Sequence, residues 1–410
     1  MVSERLRMRR LAVVLLAALF VLVGATPAHA DNIRNREYWL ADYGVTSAWA
    51  TTRGAGTVIA VIDTGVDSSH PDLAGAVIGG ADFSGSGTGG APVGGEEHGT
   101  MVAALAAGRG HGSGDGVIGV APEAGILAIS IGFGDDTDSD AQVAEAVTWA
   151  VDNGADVINL SFTRNTLDWP ESWDAAFLHA AENDVVVVAA AGNRGSGTAV
   201  VGAPATMPGV LTVAGLTRGG VASSSASSQG ITIGVSAPAE QLVGATPGGG
   251  YSLWSGTSGA APLVAGVAAL VRAAHPDLDA AGVINRIVST ATDAGDAGVD
   301  PLYGYGLLNA EAAVSGDVAA VSANPMGDLA EWVRLNRRAD SPPAPTQGGI
   351  LPPAAESAPI DGANETIAAV VPDVALLRDV GIPLLVFVGF GTALVAVTVG
   401  LVRQVRTTRR

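Results

Sequence analysis

Short runs of Val and Ile recur along the chain and alternate with stretches of helical spacing. Residues 57–62, 126–131, 156–161 and 185–190 are short runs rich in Val and Ile, the mark of strands buried on both faces. Between them, residues 138–153 and 169–183 repeat apolar positions at helical spacing, with Asp and Pro near their starts. Strand, helix and strand in repetition predict right-handed crossovers and a mainly parallel sheet, hence an α/β fold. Three more β-like runs follow at 210–214, 231–235 and 251–254. Helices are then expected at 263–274, 279–290 and near 308–314. Upstream, residues 35–52 read as an amphipathic lead-in whose Tyr38, Trp39, Tyr43 and Trp49 can pack on a core. The folded domain, 31–316, is expected to end near Gly316.

Both ends of the chain break this alternation. Residues 1–30 carry Arg5, Arg7, Arg9 and Arg10, then an apolar run at 11–24, then Ala28, His29 and Ala30. That order is a secretory signal peptide with cleavage expected after Ala30. At the other end, residues 380–402 form 23 positions without a charge, followed by Arg403, Arg406, Arg409 and Arg410. Such a length crosses roughly 30 Å of hydrocarbon as one transmembrane helix. The arginines place the tail, 403–410, in the cytoplasm, so that 31–379 faces outward from the cell membrane. Between domain and span, residues 317–379 are rich in Pro and Ala, a semi-extended tether with a short helix at 328–337.

Charge and composition narrow the partners. The chain has 410 residues, 48% of them hydrophobic, with 56 glycines, which indicates a close-packed and turn-rich protein. Its basic residues are all Arg. Setting aside Glu4 and the four arginines of the leader, and the four of the tail, leaves 13 basic residues against 39 acidic, a charge of −26. A surface so acidic argues against nucleic acid or anionic head groups as partners. There is no cysteine, which excludes a disulfide framework and a thiol nucleophile. Two glycine-rich stretches, 84–95 and 108–116, flank His98. They lack the Lys-Ser/Thr of a phosphate-binding loop and read as mobile surface loops.

Candidate chemistry gathers at the ends of predicted elements. The segment Gly256-Thr257-Ser258-Gly259-Ala260-Ala261-Pro262 turns into the helix at 263–274. A serine there can present its oxygen at the positive end of a helix, beside free N–H groups; taken alone, it is equally a helix cap. Asp63 ends the first strand in Asp63-Thr64-Gly65, at the sheet edge where functional groups collect, and alone it reads as a turn aspartate. His98 opens a small-residue helix in which Gly99 permits close packing; a solitary histidine there is more often structural. Together, Asp63, His98 and Ser258 supply an orienting carboxylate, a general base and a nucleophile. Asn193, in Ala189-Ala190-Ala191-Gly192-Asn193, can donate its amide to an oxyanion beside the Ser258 N–H.

The segments V-I-A-V-I-D-T-G-V, H-G-T-x-V-A, A-A-G-N and G-T-S-G-A-A-P resemble the four signatures of the subtilase (peptidase S8) family of serine proteases. Residues 157–161 and 119–122 also match family positions, and the likeness runs from Glu37 to Gly316. The order Asp, His, Ser is that of subtilisin. The resemblance implies a subtilisin-like three-layer fold and serine endopeptidase activity. It makes Asp63, His98 and Ser258 the catalytic triad and Asn193 the oxyanion donor. It also implies that Ser161, Phe162 and Thr163 form the edge strand on which substrate lies, and that Ala190, Ala191 and Gly192 help to wall the first specificity pocket. Gly259 stands where many relatives carry a larger side chain, which is expected to loosen packing under Ser258. Phe162-Thr163-Arg164 replaces the small, glycine-containing run usual there. The 31–56 stretch is too short for the chaperone-like prodomain of secreted subtilisins.

Signal peptide, lead-in, protease domain, tether and membrane span together are similar to the mycosins, membrane-anchored subtilases associated with type VII secretion. That resemblance implies exported or surface proteins as substrates and a type VII secretion complex as partner. The alternative is a scaffold that stabilises such a complex, with proteolysis secondary. Glu96 and Glu97, beside His98, can raise its pKa and stabilise the imidazolium, but read better as a solvated loop pair. No cofactor is required. Relatives often bind structural calcium, and Asp67, Asp72, Asp115, Asp135 and Asp136 offer oxygens, without EF-hand spacing. His70, His111, His179 and His275 read as surface or packing residues.

Overall fold

The computed structural model describes residues 33–337 apart from 113 and 134–137. The leader, the tether beyond 337, the apolar span at 380–402 and the basic tail lie outside the described residues. In chain order the strands are β1 (Val58–Asp63), β2 (Val77–Asp82), the hairpin β3 (Arg109–His111) and β4 (Asp115–Ile118), β5 (Gly125–Ser130), β6 (Val157–Leu160), β7 (Val186–Ala190), β8 (Leu211–Leu216), β9 (Ile233–Pro238), and a second hairpin of β10 (Leu242–Thr246) with β11 (Gly250–Trp254). Seven of them form one sheet in the order β2-β5-β1-β6-β7-β8-β9. Every pairing in it is parallel.

Alternation along β1 shows why the runs are apolar throughout. Ile59 and Val61 enter one hydrophobic core and Ala60 and Ile62 the other. The helices are α1 (Trp39–Asp42), α2 (Val45–Ala48), α3 (His98–Ala107), α4 (Ser139–Asp152), α5 (Ser172–Glu182), α6 (Thr257–Ala274), α7 (Ala280–Ser289), α8 (Ala310–Ser315) and α9 (Leu329–Asn336). The first core takes α1, α2, α3, α6, α7 and α8; the second takes α4, α5 and the start of α9. The result is three layers, helices on both faces of a parallel sheet. Asp138, Asp279, Asn309 and Asp328 each cap a helix by accepting a backbone N–H three residues on, at 2.7–3.1 Å. At 18 residues α6 is long and apolar enough to cross a membrane, but its buried run from Gly259 to Val271 makes it the core helix of this domain.

Four expectations change. The helix bearing Ser258 begins at Thr257 rather than at 263, and Pro262 lies inside it. The helix expected from 169 starts at Ser172, because Pro170 sits in the preceding turn and its carbonyl accepts the Trp173 N–H. The glycine-rich 108–116 stretch is largely the β3–β4 hairpin rather than an open loop. The packed chain also runs past Gly316. Met326 O accepts the Gly209 N–H at 3.0 Å, Trp332 lies 4.3 Å from Trp169 between ring centres, and Arg337 Nε reaches Asp174 Oδ2 at 2.9 Å.

Candidate active site

β1 lies between β5 and β6, where the strand order reverses, and in open α/β sheets the crevice at such a point takes ligands at the carboxyl ends. Asp63 ends β1 there, 1% exposed, with Oδ1 accepting the Thr64 N–H at 2.7 Å. His98 opens α3 and keeps 33% of its side chain in solvent. Its Nδ1 donates to Asp63 Oδ1 at 2.8 Å and Oδ2 at 3.0 Å, which leaves Nε2 as the working nitrogen. The approach depends on Gly99. A Cβ there would meet Gly65 O at 2.3 Å, and the Gly99 N–H donates to Thr64 Oγ1 at 3.0 Å. Burial of the ring is the largest influence on His98 and disfavours the imidazolium. The charge of Asp63, its hydrogen bond and the charge of Glu96 outweigh it together, and the His98 pKa is raised. Glu96 thus acts on His98 electrostatically, beyond a solvated loop role.

Ser258 is the second residue of α6, and its Oγ donates to Ser161 O at 2.9 Å. Asn193 follows β7. Its Oδ1 accepts from Thr257 N at 2.8 Å and from Thr257 Oγ1 at 3.1 Å, which orients the amide so that Nδ2 is the end left to donate. Thr257 Oγ1 also accepts the Gly192 N–H at 3.0 Å. One buried hydroxyl therefore ties the end of β7 to the start of α6. Thr257 stood inside a recognised segment, yet nothing local marks this role, since its partner is 64 residues away.

Two cavities flank Ser161 and Ser258. One of about 270 Å³ is lined by Phe162, Thr163, Ala190, Gly192, Asn193 and Ser258, joined by Asn165, Ser196 and Thr198, which the sequence did not single out. Ala191 is not in that lining; it is fully buried in the second core, and its N–H donates to Val213 O at 3.0 Å. The other, of about 550 Å³, lies between the His98 side and Phe162, with Phe133 and Phe162 edge to face at 5.8 Å. Ser84, Val93 and Gly94 of the first glycine-rich stretch also line it.

Packing beneath the serine is tight where a looser fit was expected. A Cβ on Gly259 would lie 2.3 Å from Leu242 Cδ1 and 3.3 Å from the Trp254 ring, so the β10–β11 hairpin fills the space. Trp254 also stands edge-on to His98 at 5.7 Å. Among the described calcium candidates, Asp67 and Asp72 already accept hydrogen bonds from protein donors. Asp67 accepts from Ser69 and from the Gly248 N–H, and Asp72 accepts from His111 and from the Val117 N–H. Asp135 and Asp136 lie outside the described residues. Of the other histidines, His70 is buried, its Nδ1 accepting the Asp72 N–H and its Nε2 donating to Gly250 O at 3.2 Å, and His111 pairs with Asp72.

Comparison with known proteins shows the family. The subtilase family model matches residues 54–306. Subtilisin E of Bacillus subtilis (strain 168) is 38% identical over 292 residues, 69% of this chain and 74% of its own. The crystal structure of MycP1 with its N-terminal propeptide removed is 30% identical, with a TM-score of 0.61 over 70% of this chain and 99% of that one. MycP1 from the ESX-1 type VII secretion system is 29% identical, with a TM-score of 0.61 over 74% of this chain and 91% of that one. The chain belongs to the subtilase family and is a subtilisin-like serine endopeptidase.

Proposed function

We propose that Asp63, His98 and Ser258 are the catalytic triad of this peptidase and Asn193 its oxyanion donor. The observation that carries the reading is the two-point Asp63–His98 bond at the carboxyl end of β1; Ser258 stands in the first turn of α6, its Oγ resting on Ser161 O. His98 Nε2 takes the Ser258 proton as Oγ leaves its rest position on Ser161 O and attacks the scissile carbonyl carbon. Asn193 Nδ2 and the Ser258 N–H receive the oxyanion. Collapse breaks the C–N bond, His98 returns the proton to the leaving amine, and water then hydrolyses the acyl-enzyme by the same route. Substrate is held as an added strand along Ser161, Phe162 and Thr163, with the 270 Å³ cavity taking the side chain before the scissile bond. The test is fluorophosphonate labelling of the full-length chain beside Ser258→Ala. Wild type alone should label; a Ser258→Ala protein that still labels removes the assignment.

The finer setting follows from the leader, the 380–402 span and the basic tail, together with structural neighbours described as components of a type VII secretion system. In this reading the enzyme is anchored by one span, faces outward, and cleaves exported or surface proteins beside such a complex. Membrane fractionation of the full chain and of a version ending at Arg337 tests the anchor: the shorter protein should leave the membrane and still label. Secretion restored fully by Ser258→Ala in a deletion strain would favour the scaffold role instead.

A further inference from the structure

Pro262 leaves a gap in the helix that carries Ser258. In an α-helix the carbonyl of residue i accepts the N–H of residue i+4, so the Ser258 carbonyl would bond to residue 262, and proline has no N–H to give. That carbonyl has another donor. The Ser161 hydroxyl, at the end of β6, donates to Ser258 O at 2.9 Å, and Asn159 Nδ2 donates to Ser161 Oγ at 2.8 Å. The return contact, Ser258 Oγ to Ser161 O at 2.9 Å, makes the two serines a reciprocal pair. Ser161 is 2% exposed and Asn159 0%, so water does not compete for these groups.

From this arrangement we infer that Ser161 is a positioning residue: its hydroxyl, aimed by Asn159, replaces the helix hydrogen bond that Pro262 removes and sets the backbone of the Ser258 nucleophile from strand β6. The inference rests on the proposed role of Ser258. Its physical content is that α6 does not fix its own second residue. The serine is registered to the strand on which substrate lies, so nucleophile and substrate backbone share one reference. Asn159 is held to the same task by its place on β6, paired through the sheet with Val61 and Val188. Ser161 therefore acts through Ser258 by its side chain, whatever its backbone does for substrate.

The experiment is a cycle on the full-length chain, read as the second-order rate of fluorophosphonate labelling, with melting temperature recorded for each variant. Ser161→Ala deprives the half-buried Ser258 carbonyl of this donor and should slow labelling roughly tenfold to a hundredfold. Pro262→Ala restores a backbone N–H at the right place, so alone it should change the rate little. Ser161→Ala combined with Pro262→Ala should recover to near the Pro262→Ala rate, because the helix now makes its own bond. Should Ser161→Ala fail to fold, the Pro262→Ala background has to restore both folding and labelling. A double variant no better than Ser161→Ala, or a Ser161→Ala protein that labels at the wild-type rate, overturns the inference. A wild type that does not label at all removes the Ser258 reading instead, which keeps the two failures apart.

Discussion

His98 stands between two carboxylates of unequal standing. Asp63 is buried and hydrogen-bonded to Nδ1, whereas Glu96 is exposed and acts through charge alone. In the proposed role His98 works as a neutral base, so labelling should fall as pH drops through its pKa, and the raised value places that acid limb above the ordinary 6.5. Glu96→Gln is expected to move the limb to lower pH and leave the alkaline plateau in place; a limb that does not move shows that Asp63 alone sets it. The same shift has a sign for folding. It stabilises the native state fully below the unfolded-chain value, and the contribution is lost as pH rises through the folded one. Thr257 makes the companion prediction. Removing the oxyanion asparagine of a subtilisin costs roughly 10²–10³ in turnover. Thr257→Val, which loosens Asn193 without removing it, is expected to slow labelling about tenfold, again read with the fluorophosphonate. The proposed site residues Asp63, His98, Asn193 and Ser258 could be named from the sequence because each stands near the end of an element within one contiguous segment. Thr257, Trp254 and Leu242 could not, because their partners lie far off in sequence and only the fold assembles them.

At the scale of elements, α9 shows the same divide. A short helix is expected at 328–337, and α9 forms there, capped by Asp328. Its docking was not legible, since a three-residue apolar face does not say what it covers. It covers α5: Trp332 lies on Trp169, and Arg337 stands 5.8 Å and 5.3 Å from the two ring centres while it pairs with Asp174. The segment is thus part of the domain's second core, and Trp332→Ala should lower unfolding stability by on the order of 1–3 kcal/mol, measured by denaturant titration. A chain ending at Gly316 should be destabilised by more than that relative to one ending at Arg337. Equal midpoints would mean that α9 merely rests on the surface. β2 went unread for a related reason. Its Val77-Ile78-Gly79-Gly80 start is half-buried and glycine-interrupted, as an edge strand allows, and it lacks the continuous apolar run that betrayed β1, β5 and β7.

At the scale of the described domain, β1 ends at Asp63 and β6 and β7 run into Ser161 and Asn193, at the carboxyl ends of neighbouring parallel strands, and the surface is governed by charge. In the described domain Arg34, Arg53, Arg164, Arg272, Arg334 and Arg337 each already face an acidic partner. With 13 basic residues against 39 acidic outside the leader and tail, most carboxylates have no cation to meet, and their mutual repulsion opposes the compact state. Surface ion pairs offset little of this, since each is worth roughly 0–1 kcal/mol. Screening should therefore stabilise the fold. Raising sodium chloride from about 0.01 M, where charges interact over roughly 30 Å, to about 1 M, where they do so over roughly 3 Å, is expected to raise the melting temperature. A gain of about 1 kcal/mol corresponds to roughly 2–4 °C for a domain of this size. A melting temperature that falls with salt would reverse the balance and show that the arginine pairs, Arg337 with Asp174 above all, hold the fold more than the excess carboxylates strain it.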